Sequence, residues 1–444
     1  MMEVYVGIDL GSTTTKAIIL DDGGHVVGQG ITNSRSNYDI ASKVVREEAF
    51  VRTRFTITRQ NATRAISEAG VALEADFFPA IERNFRLQQY LEQLGGLHDA
   101  MFRVAETPRH KAYSDDLKCR LDEMCGHMRD NARGYFAPGA ARKSDFFRDL
   151  AGADYMALAE AMAEPKGITV DTLCGVFDSA ILTVENITFE GAFERHIGVA
   201  LDDTLRDAPP EVRRVSERLR DAVESARLLC LTESGTAGTG YGRQRLPFPK
   251  EQIRSEILCH GLGAHVMFPD TRTVLDIGGQ DTKAIQLDSD GLVTSFQMND
   301  RCAAGCGRYL GYIADEMNLG VHELGPLAQQ SRQRVKINST CTVFAGAELR
   351  ERLSLGQSRE DILAGLHRAI ILRAMSLLAR SGGVRDEFTF TGGVAKNPAA
   401  VAALQDLVSE NYGKRTLNTS PDSIYTGALG AALFALRAAE RRAA

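Results

Sequence analysis

The stretch Asp9–Val26 occurs twice in this chain. Set against Asp276–Val293, an offset of 267 residues, ten of its eighteen positions are identical: Asp9, Gly11, Thr15, Lys16, Ala17, Ile18, Leu20, Asp21, Gly24 and Val26. Ordinary composition would give about one match. Each copy has an apolar run, a Gly/Ser/Thr-rich turn, a second apolar run, an Asp/Gly turn and a third apolar run. That pattern predicts strand, tight turn, strand, tight turn, strand. A chain carrying this unit twice is expected to fold as two equivalent halves with a ligand between them.

Each turn offers backbone N–H groups without a strand partner, small residues and, in the first copy, hydroxyls. Such a concavity suits phosphate oxygens. Gly11, Ser12, Thr13 and Thr14 are the expected contacts in the first turn, and Gly278, Gly279 and Gln280 in the second. Lys16 would neutralise phosphate charge. An Asp repels phosphate directly, but Asp9 and Asp276 can hold the waters of a Mg²⁺ that bridges phosphates. Gln280 and Asp281 are candidates for orienting an attacking water.

At 444 residues the chain exceeds a single core, and two to three domains are expected. A net charge of −6, with no basic block, argues against nucleic acid as a partner. The longest apolar stretch, Ile362–Ala379, is interrupted by His367, Arg368 and Arg373, so no membrane span is expected. The chain opens on a strand pattern without a signal-type segment, which predicts a cytoplasmic protein. Its eight cysteines are then expected to be thiols or metal ligands.

Along the chain, residues 1–34 form the first strand set. Residues 41–225 alternate charged and apolar residues at helical spacing and read as a large helical insertion, with a strand signal only at Ile181–Ile187. Leu228–Gly242 reads as a buried strand entering a Gly-rich loop, and Glu251–Gly263 as a helix. Two cysteine stretches follow, Asn299–Leu310 and Asn338–Leu349. Each runs into a helical pattern, placing Cys302 and Cys341 near helix N-termini, where thiolates are favoured. Cys306, one turn beyond Cys302, reads as a bystander, with a zinc site from Cys302, Cys306 and Cys341 as the rival. Arg359–Arg380 forms a long helix. Strand Phe388–Phe390 then enters Thr391–Pro398, where Gly392 and Gly393 let backbone lie against a nucleoside and Asn397 caps the next helix.

These three glycine motifs, in this order, resemble those of the superfamily of sugar and acetate kinases, heat-shock chaperones and actin. Asp9–Lys16 is similar to its first phosphate loop, Asp276–Asp281 to its second and Thr391–Asn397 to its adenosine loop. The cysteine stretches narrow the resemblance to the ATPase components of benzoyl-CoA reductases and the activators of 2-hydroxyacyl-CoA dehydratases. The insertion, with Gly240–Arg245, most resembles the larger ATPase subunits of the reductases.

The resemblance implies an α/β fold of duplicated actin-like, ribonuclease H-like halves. Residues 1–40, 226–271 and 425–444 would form half I, and 272–424 half II, with Gly392, Gly393 and Asn397 near the nucleoside. It further implies ATP and Mg²⁺ as ligands. Cys302 and Cys341, 39 residues apart, would hold a [4Fe–4S] cluster shared with a homologous ATPase subunit, since one chain supplies two of four thiolates. Ferredoxin would be the electron donor, and separate reductase subunits would bind the substrate. A ferredoxin works near −400 mV. Lifting one electron by roughly 200 mV costs about 4–5 kcal/mol, which ATP would supply.

Overall fold

The computed structural model describes residues 1–34, 37–140, 144, 146–164, 167–186, 190–240, 246–300, 306–337 and 342–443. It divides into two compact units, Met1–Phe50 with Leu231–Ala444, and Val51–Cys230.

The first unit holds both repeats. Strands β1 (Met2–Leu10), β2 (Thr14–Leu20) and β3 (Val26–Asn33) form an antiparallel meander. The sheet is completed by β4 (Leu231–Gly240), parallel to β1, in the order β3-β2-β1-β4. The second repeat builds the same arrangement from β5 (Thr273–Ile277), β6 (Thr282–Leu287) and β7 (Val293–Asn299), with β8 (Phe388–Thr391) parallel to β5 and β9 (Leu417–Asn418) beyond it. Its order is β7-β6-β5-β8-β9. β4 is an edge strand: its last four residues are buried, but its first six are not.

Alternation along β1 sorts its side chains by face. Val4, Val6, Ile8 and Leu10 pack with Ala41, Val45 and Ala49 at the start of α1 (Tyr38–Ser67). Tyr5 lies in the opposite cluster, so Gly7 and Asp9 share its face. The helices that belong to the second unit are α2 (Phe77–Ala105), α3 (Ser114–Tyr135), α4 (Phe147–Met162), α5 (Val170–Glu185), α6 (Ala192–Asp207), α7 (Pro210–Arg214) and α8 (Ser216–Leu228), together with α1 beyond Phe50. Aromatic and aliphatic side chains fill their core. Phe55 meets the edges of Phe85 and Phe193 at 5.1 and 5.4 Å, and Tyr155 stacks on Phe177 at 4.7 Å. Burial pushes the Cys125 thiol up to about 12, an inert core group.

The strand signal at Ile181 is overruled. Leu173, Val176, Phe177, Ala180, Ile181 and Val184 recur at helical spacing and are buried, and Thr169 caps the helix by accepting from Thr172 N–H. The β-branched run is therefore the inner face of α5.

In the first unit, α9 (Glu256–Met267) begins five residues later than the sequence suggests. Lys250–Gln252 form a single 3-10 turn, then Ile253 bridges to Gly238 and the Arg254 N–H donates to the Gly238 carbonyl at 2.9 Å, which holds Ile253–Ser255 out of the helix. The remaining helices are α10 (Gly307–Met317), α11 (Val321–Ala328), α12 (Thr342–Ser354), α13 (Arg359–Ser381), α14 (Pro398–Tyr412) and α15 (Thr426–Ala443). α13 is long and apolar enough to cross a membrane, but Ile362, Leu363, Leu366, Ile370, Ile371 and Leu378 form the core of the second half. Each such side chain stabilises by about 1.5–3 kcal/mol on burial.

α9 is central. Cys259 and Leu262 pack with Tyr5, Ile18 and α15 of the first half, while Ile257 and Ala264 pack with Val274 and Ile285 of the second. Gly430 of α15 lies so close to the Cys259 carbonyl that any side chain there would collide.

Candidate active site

The two repeat loops meet. A Cβ at Gly279 would overlap the Thr13 hydroxyl and lie 3.7 Å from Ser12 Oγ, so a glycine is required for this approach. The Gly278 N–H donates to the Asp281 carbonyl at 3.0 Å, which closes the second turn. In the first, the Gly11 and Thr13 carbonyls accept from the Ser34 hydroxyl and Ser34 N–H. The N–H groups of Ser12, Thr13, Gly279 and Gln280 find no backbone acceptor among the described residues. Unpaired backbone donors of this kind suit an anion.

Asp9 and Asp276 end their strands on the faces turned toward α9. Asp9 pairs across β1–β2 with Lys16, and Asp276 across β5–β6 with Lys283. The first pair is loose, with Lys16 Nζ 3.9 Å from Asp9 Oδ2. Asp9 Oδ1 is buried and finds no hydrogen-bond partner among the described residues. The second pair is tight: Lys283 Nζ lies 3.3 Å from Asp276, 2.5 Å from Asp281 and 3.1 Å from Glu256. Asp276 Oδ2 also accepts from the Thr391 hydroxyl at 2.7 Å and lies 3.4 Å from His260 Nδ1.

Glu256 and His260 are one turn apart on α9, which places them on one helical face. That face brings them to both aspartates. Burial alone would raise the Asp276 carboxyl, but His260, Lys283 and the Thr391 hydroxyl hold it well below the usual range. Burial lifts Glu256 above its ordinary value, against Lys283 and His260 and with Asp281 and Asp9 adding to the rise. Burial opposes the Lys283 charge, but Asp276, Glu256 and Asp281 keep it protonated well above its ordinary value.

The remaining predicted residues fall into three groups. Gln280 faces Arg308, whose Nη1 is 2.6 Å from the Gln280 amide oxygen, and Asp281 is buried against Lys283. Both side chains are engaged within the protein. Gly392 (φ +86°) carries the chain across the end of β5 beside the Ile277 carbonyl, and Gly393 has open space at its Cβ position. Asn397 accepts from Ala399 and Ala400 N–H as the α14 cap, and its Nδ2 donates to His367 Nε2 at 2.9 Å, so its side chain is committed to the fold. Cys302 and Cys341 lie outside the described residues, as do residues 241–245. Cys306 is buried in the core of the second half.

Glu256, His260, Lys283 and Thr391 complete the site, although the glycine and cysteine motifs do not mark them. Lys283 is legible in the sequence as the repeat partner of Lys16. Directly after Cys306, the N–H groups of Gly307 and Arg308 donate to the Gly278 and Gly279 carbonyls, both at 2.8 Å. The start of α10 is thereby hydrogen-bonded to the second glycine loop.

This chain is similar to several known proteins. The (R)-2-hydroxyglutaryl-CoA dehydratase activating ATPase of Acidaminococcus fermentans is 42% identical over 223 residues, half of this chain and 83% of that protein. The activator of lactoyl-CoA dehydratase of Anaerotignum propionicum is 43% identical over 47% of this chain and 78% of its own length. One of the benzoyl-CoA reductase subunits of Thauera aromatica is 31% identical over 60% of this chain and 91% of its own. The crystal structure of the Acidaminococcus dehydratase component A matches with a TM-score of 0.54 at 24% identity, over 98% of this chain and 99% of that one, which shows a shared actin-like ATPase fold. The model of one ATPase family matches residues 6–435, and this chain is a member of that BadF/BadG/BcrA/BcrD ATPase family.

Proposed function

We propose that this ATPase drives single electrons from a reduced ferredoxin, through a [4Fe–4S] cluster shared with a homologous subunit, to a partner enzyme that reduces benzoyl-CoA. The observation that carries this reading is the hydrogen bonding of Gly307 and Arg308 to the Gly278–Gly279 loop. It ties the start of α10, shortly after Cys302, to a loop built for phosphate. ATP phosphates would sit on the free N–H groups of the two glycine loops, with Lys16 neutralising charge. The acid-rich, partner-poor environment of Asp9 fits a divalent cation, and Asp9 and Asp276 would orient the waters of Mg²⁺. Gly392 and Gly393 would lie beside the nucleoside. Closure around ATP would shift the Gly278–Gly279 loop and α10 with it, and only a difference in contacts between open and closed states can do this work. Cys302 and Cys341 would be the ligands, and a cluster held there would supply low-potential one-electron chemistry.

A second reading, activation of a 2-hydroxyacyl-CoA dehydratase, is favoured by the higher identity to the dehydratase activators. Against it stands size. Since 223 residues are 83% of the Acidaminococcus protein, that protein has about 270 residues. The first unit of this chain alone has 264, from 50 and 214. The helical unit therefore has no counterpart of its size there. The Thauera protein, at about 296 residues from 269 at 91%, also lacks the length for it, so size separates this chain from both relatives and the acceptor assay must decide between them.

The test is EPR of anaerobically purified, reduced protein co-expressed with its partner subunits, with and without ATP. Iron near four per dimer, with a nucleotide-sensitive signal lost in Cys302→Ala, supports the electron-donor reading. Absence of iron together with intact ATPase activity in Cys302→Ala overturns it. Coupled assays with benzoyl-CoA and a 2-hydroxyacyl-CoA separate the two acceptors.

A further inference from the structure

We propose that the open edge of β4 takes up an extended, acidic segment of a partner protein as a fifth strand of the first sheet. Such docking is independent of which acceptor the ATPase serves.

The internal repeat marks the position. In the second half, β9 extends the sheet beyond β8, with Leu417 and Asn418 opposite Phe388 and Thr389. Phe388 and Thr389 in turn lie opposite Thr273 and Val274 of β5. At the repeat offset of 267, Thr273 and Val274 correspond to Val6 and Gly7. Those two residues lie opposite Thr236 and Ala237 of β4. A strand equivalent to β9 would therefore run beside Thr236 and Ala237. Among the described residues none does, and β4 ends the sheet. The chain returns to this edge only further along, where Ile253 bridges to Gly238 in the parallel sense. Glu251 and Gln252 would reach Thr236 and Ala237 if they continued that bridge as a strand, but they form the 3-10 turn instead.

A strand with one open side presents N–H and C=O groups ready for another strand. A cavity of about 770 Å³ lies along this edge, lined by Glu233–Thr236, the segment around Glu251–Arg254 and the C-terminal half of α15. Gly235 packs so closely on α15 that a Cβ would stand 3.1 Å from the Ala435 carbonyl oxygen, which fixes the edge against the helix.

Charge selects the occupant. Arg254, Arg437, Arg441 and Arg442 line the cavity, and none of them pairs with a carboxylate among the described residues. Arg254 donates from Nη1 to the Glu251 and Ile253 carbonyls, and Arg442 from Nε to the Ala438 carbonyl. Of the two acids in the lining, Glu233 is already held by Arg46, whose Nε lies 2.8 Å from its Oε2. Four guanidinium groups therefore face the single further carboxylate of Glu251. Backbone pairing supplies the affinity of an added strand, and side chains at alternate positions supply its selectivity. Acidic residues meet complementary charge here, and basic ones are repelled. A second copy of this chain fits poorly. A twofold axis would pair two β4 edges antiparallel, against the parallel sense of β9, and would set one basic face against the other.

The experiment is calorimetry and hydrogen exchange of the full-length protein with a synthetic decapeptide that alternates Glu and Val. The expected result is saturable binding, with exchange slowed at least five-fold within Glu233–Ala237. The same peptide with Lys in place of Glu should bind at least ten-fold more weakly, as should the acidic peptide to the Arg437→Glu, Arg441→Glu double variant. Both arginines are exposed, and an unchanged thermal midpoint shows that the variant still folds. A fully N-methylated acidic peptide, which cannot donate backbone hydrogen bonds, should not bind. Equal binding of that peptide would reduce the effect to charge attraction and overturn strand addition, as would slowed exchange only outside Glu233–Ala237 or no binding at all. In the complex co-expressed with its partner subunits, a photo-cross-linking residue at position 236 should capture an acidic segment of another subunit. Capture of only another copy of this chain, or of nothing, would also overturn the proposal.

Discussion

Lys283 stands directly across the β5–β6 ladder from Asp276, its Nζ 3.3 Å from the carboxylate and its side chain 2% exposed. Lys16 occupies the same place opposite Asp9, but at 3.9 Å and 13% exposed. One repeated pair has thus diverged into a buried structural hub and a looser pair at the cleft. Lys283→Met should cost about 3–5 kcal/mol in urea unfolding, because it leaves Asp276, Asp281 and Glu256 buried without their shared cation. Lys16→Met should cost less than Lys283→Met, because Lys16 stands 3.9 Å from one carboxylate where Lys283 stands against three, yet weaken ATP binding at least ten-fold. Equal destabilisation by both substitutions would contradict this division of roles.

The meeting of the two glycine loops gives a second prediction. Gly279→Ala drives a methyl group into the Thr13 side chain and should lower nucleotide affinity by about 2 kcal/mol through displacement of the loops. The thermal midpoint should barely move, because the loops carry little core. Thr13→Gly in the same chain removes the obstructing side chain and should recover part of the lost affinity. A calorimetric titration of the single and double variants decides the matter, and the absence of any recovery would count against direct loop contact.

The double repeat makes the two sheets, the hairpin loops and both aspartates legible in the sequence. Strand alternation and the Gly/Asp turns are local properties, and they survive folding unchanged. Glu256 and His260 are not legible, because their importance comes from α9 lying between the two sheets. That position is a tertiary fact, and an acid and a histidine four residues apart on a helix are common. Asn397 shows the converse. A motif position expected near the nucleoside is also an N-cap, and the cap and His367 consume its side chain. The strand signal at Ile181 fails because β-branched residues favour strands locally, whereas burial at helical spacing settles the segment as α5.

His367 gives a pH dependence. Its Nδ1–H donates to the Leu363 carbonyl at 2.7 Å and its Nε2 accepts from Asn397, so the buried ring is neutral. Burial lowers it to about 4, with the Leu363 contact opposing, against an ordinary value near 6.5. Between these values the unfolded chain binds a proton that the folded chain refuses. Stability should therefore fall as the pH drops from 6.5 to 4, by about 3 kcal/mol in total. His367→Gln should flatten that part of the profile in urea unfolding at pH 7, 5.5 and 4.5. An unchanged slope in the variant would show that other groups govern acid sensitivity.

The last prediction concerns how nucleotide occupancy reaches α10. The Gly307 and Arg308 N–H groups are the first donors of that helix, and they are spent on the Gly278 and Gly279 carbonyls, which belong to the second glycine loop. The rest of α10 buries Tyr309, Leu310, Ile313, Ala314 and Met317. A non-hydrolysable ATP analogue that engages the Gly278–Gly279 N–H groups should tighten the loop and slow amide exchange at Gly307 and Arg308 at least ten-fold. α14, whose cap is supplied by its own Asn397, should be little affected. Exchange that slows uniformly across the unit would mean global stabilisation by ligand binding. Exchange that slows first at the start of α10 would mean that the phosphate loop and the segment after Cys302 respond as one piece. That is the mechanical link an ATP-driven electron donor requires.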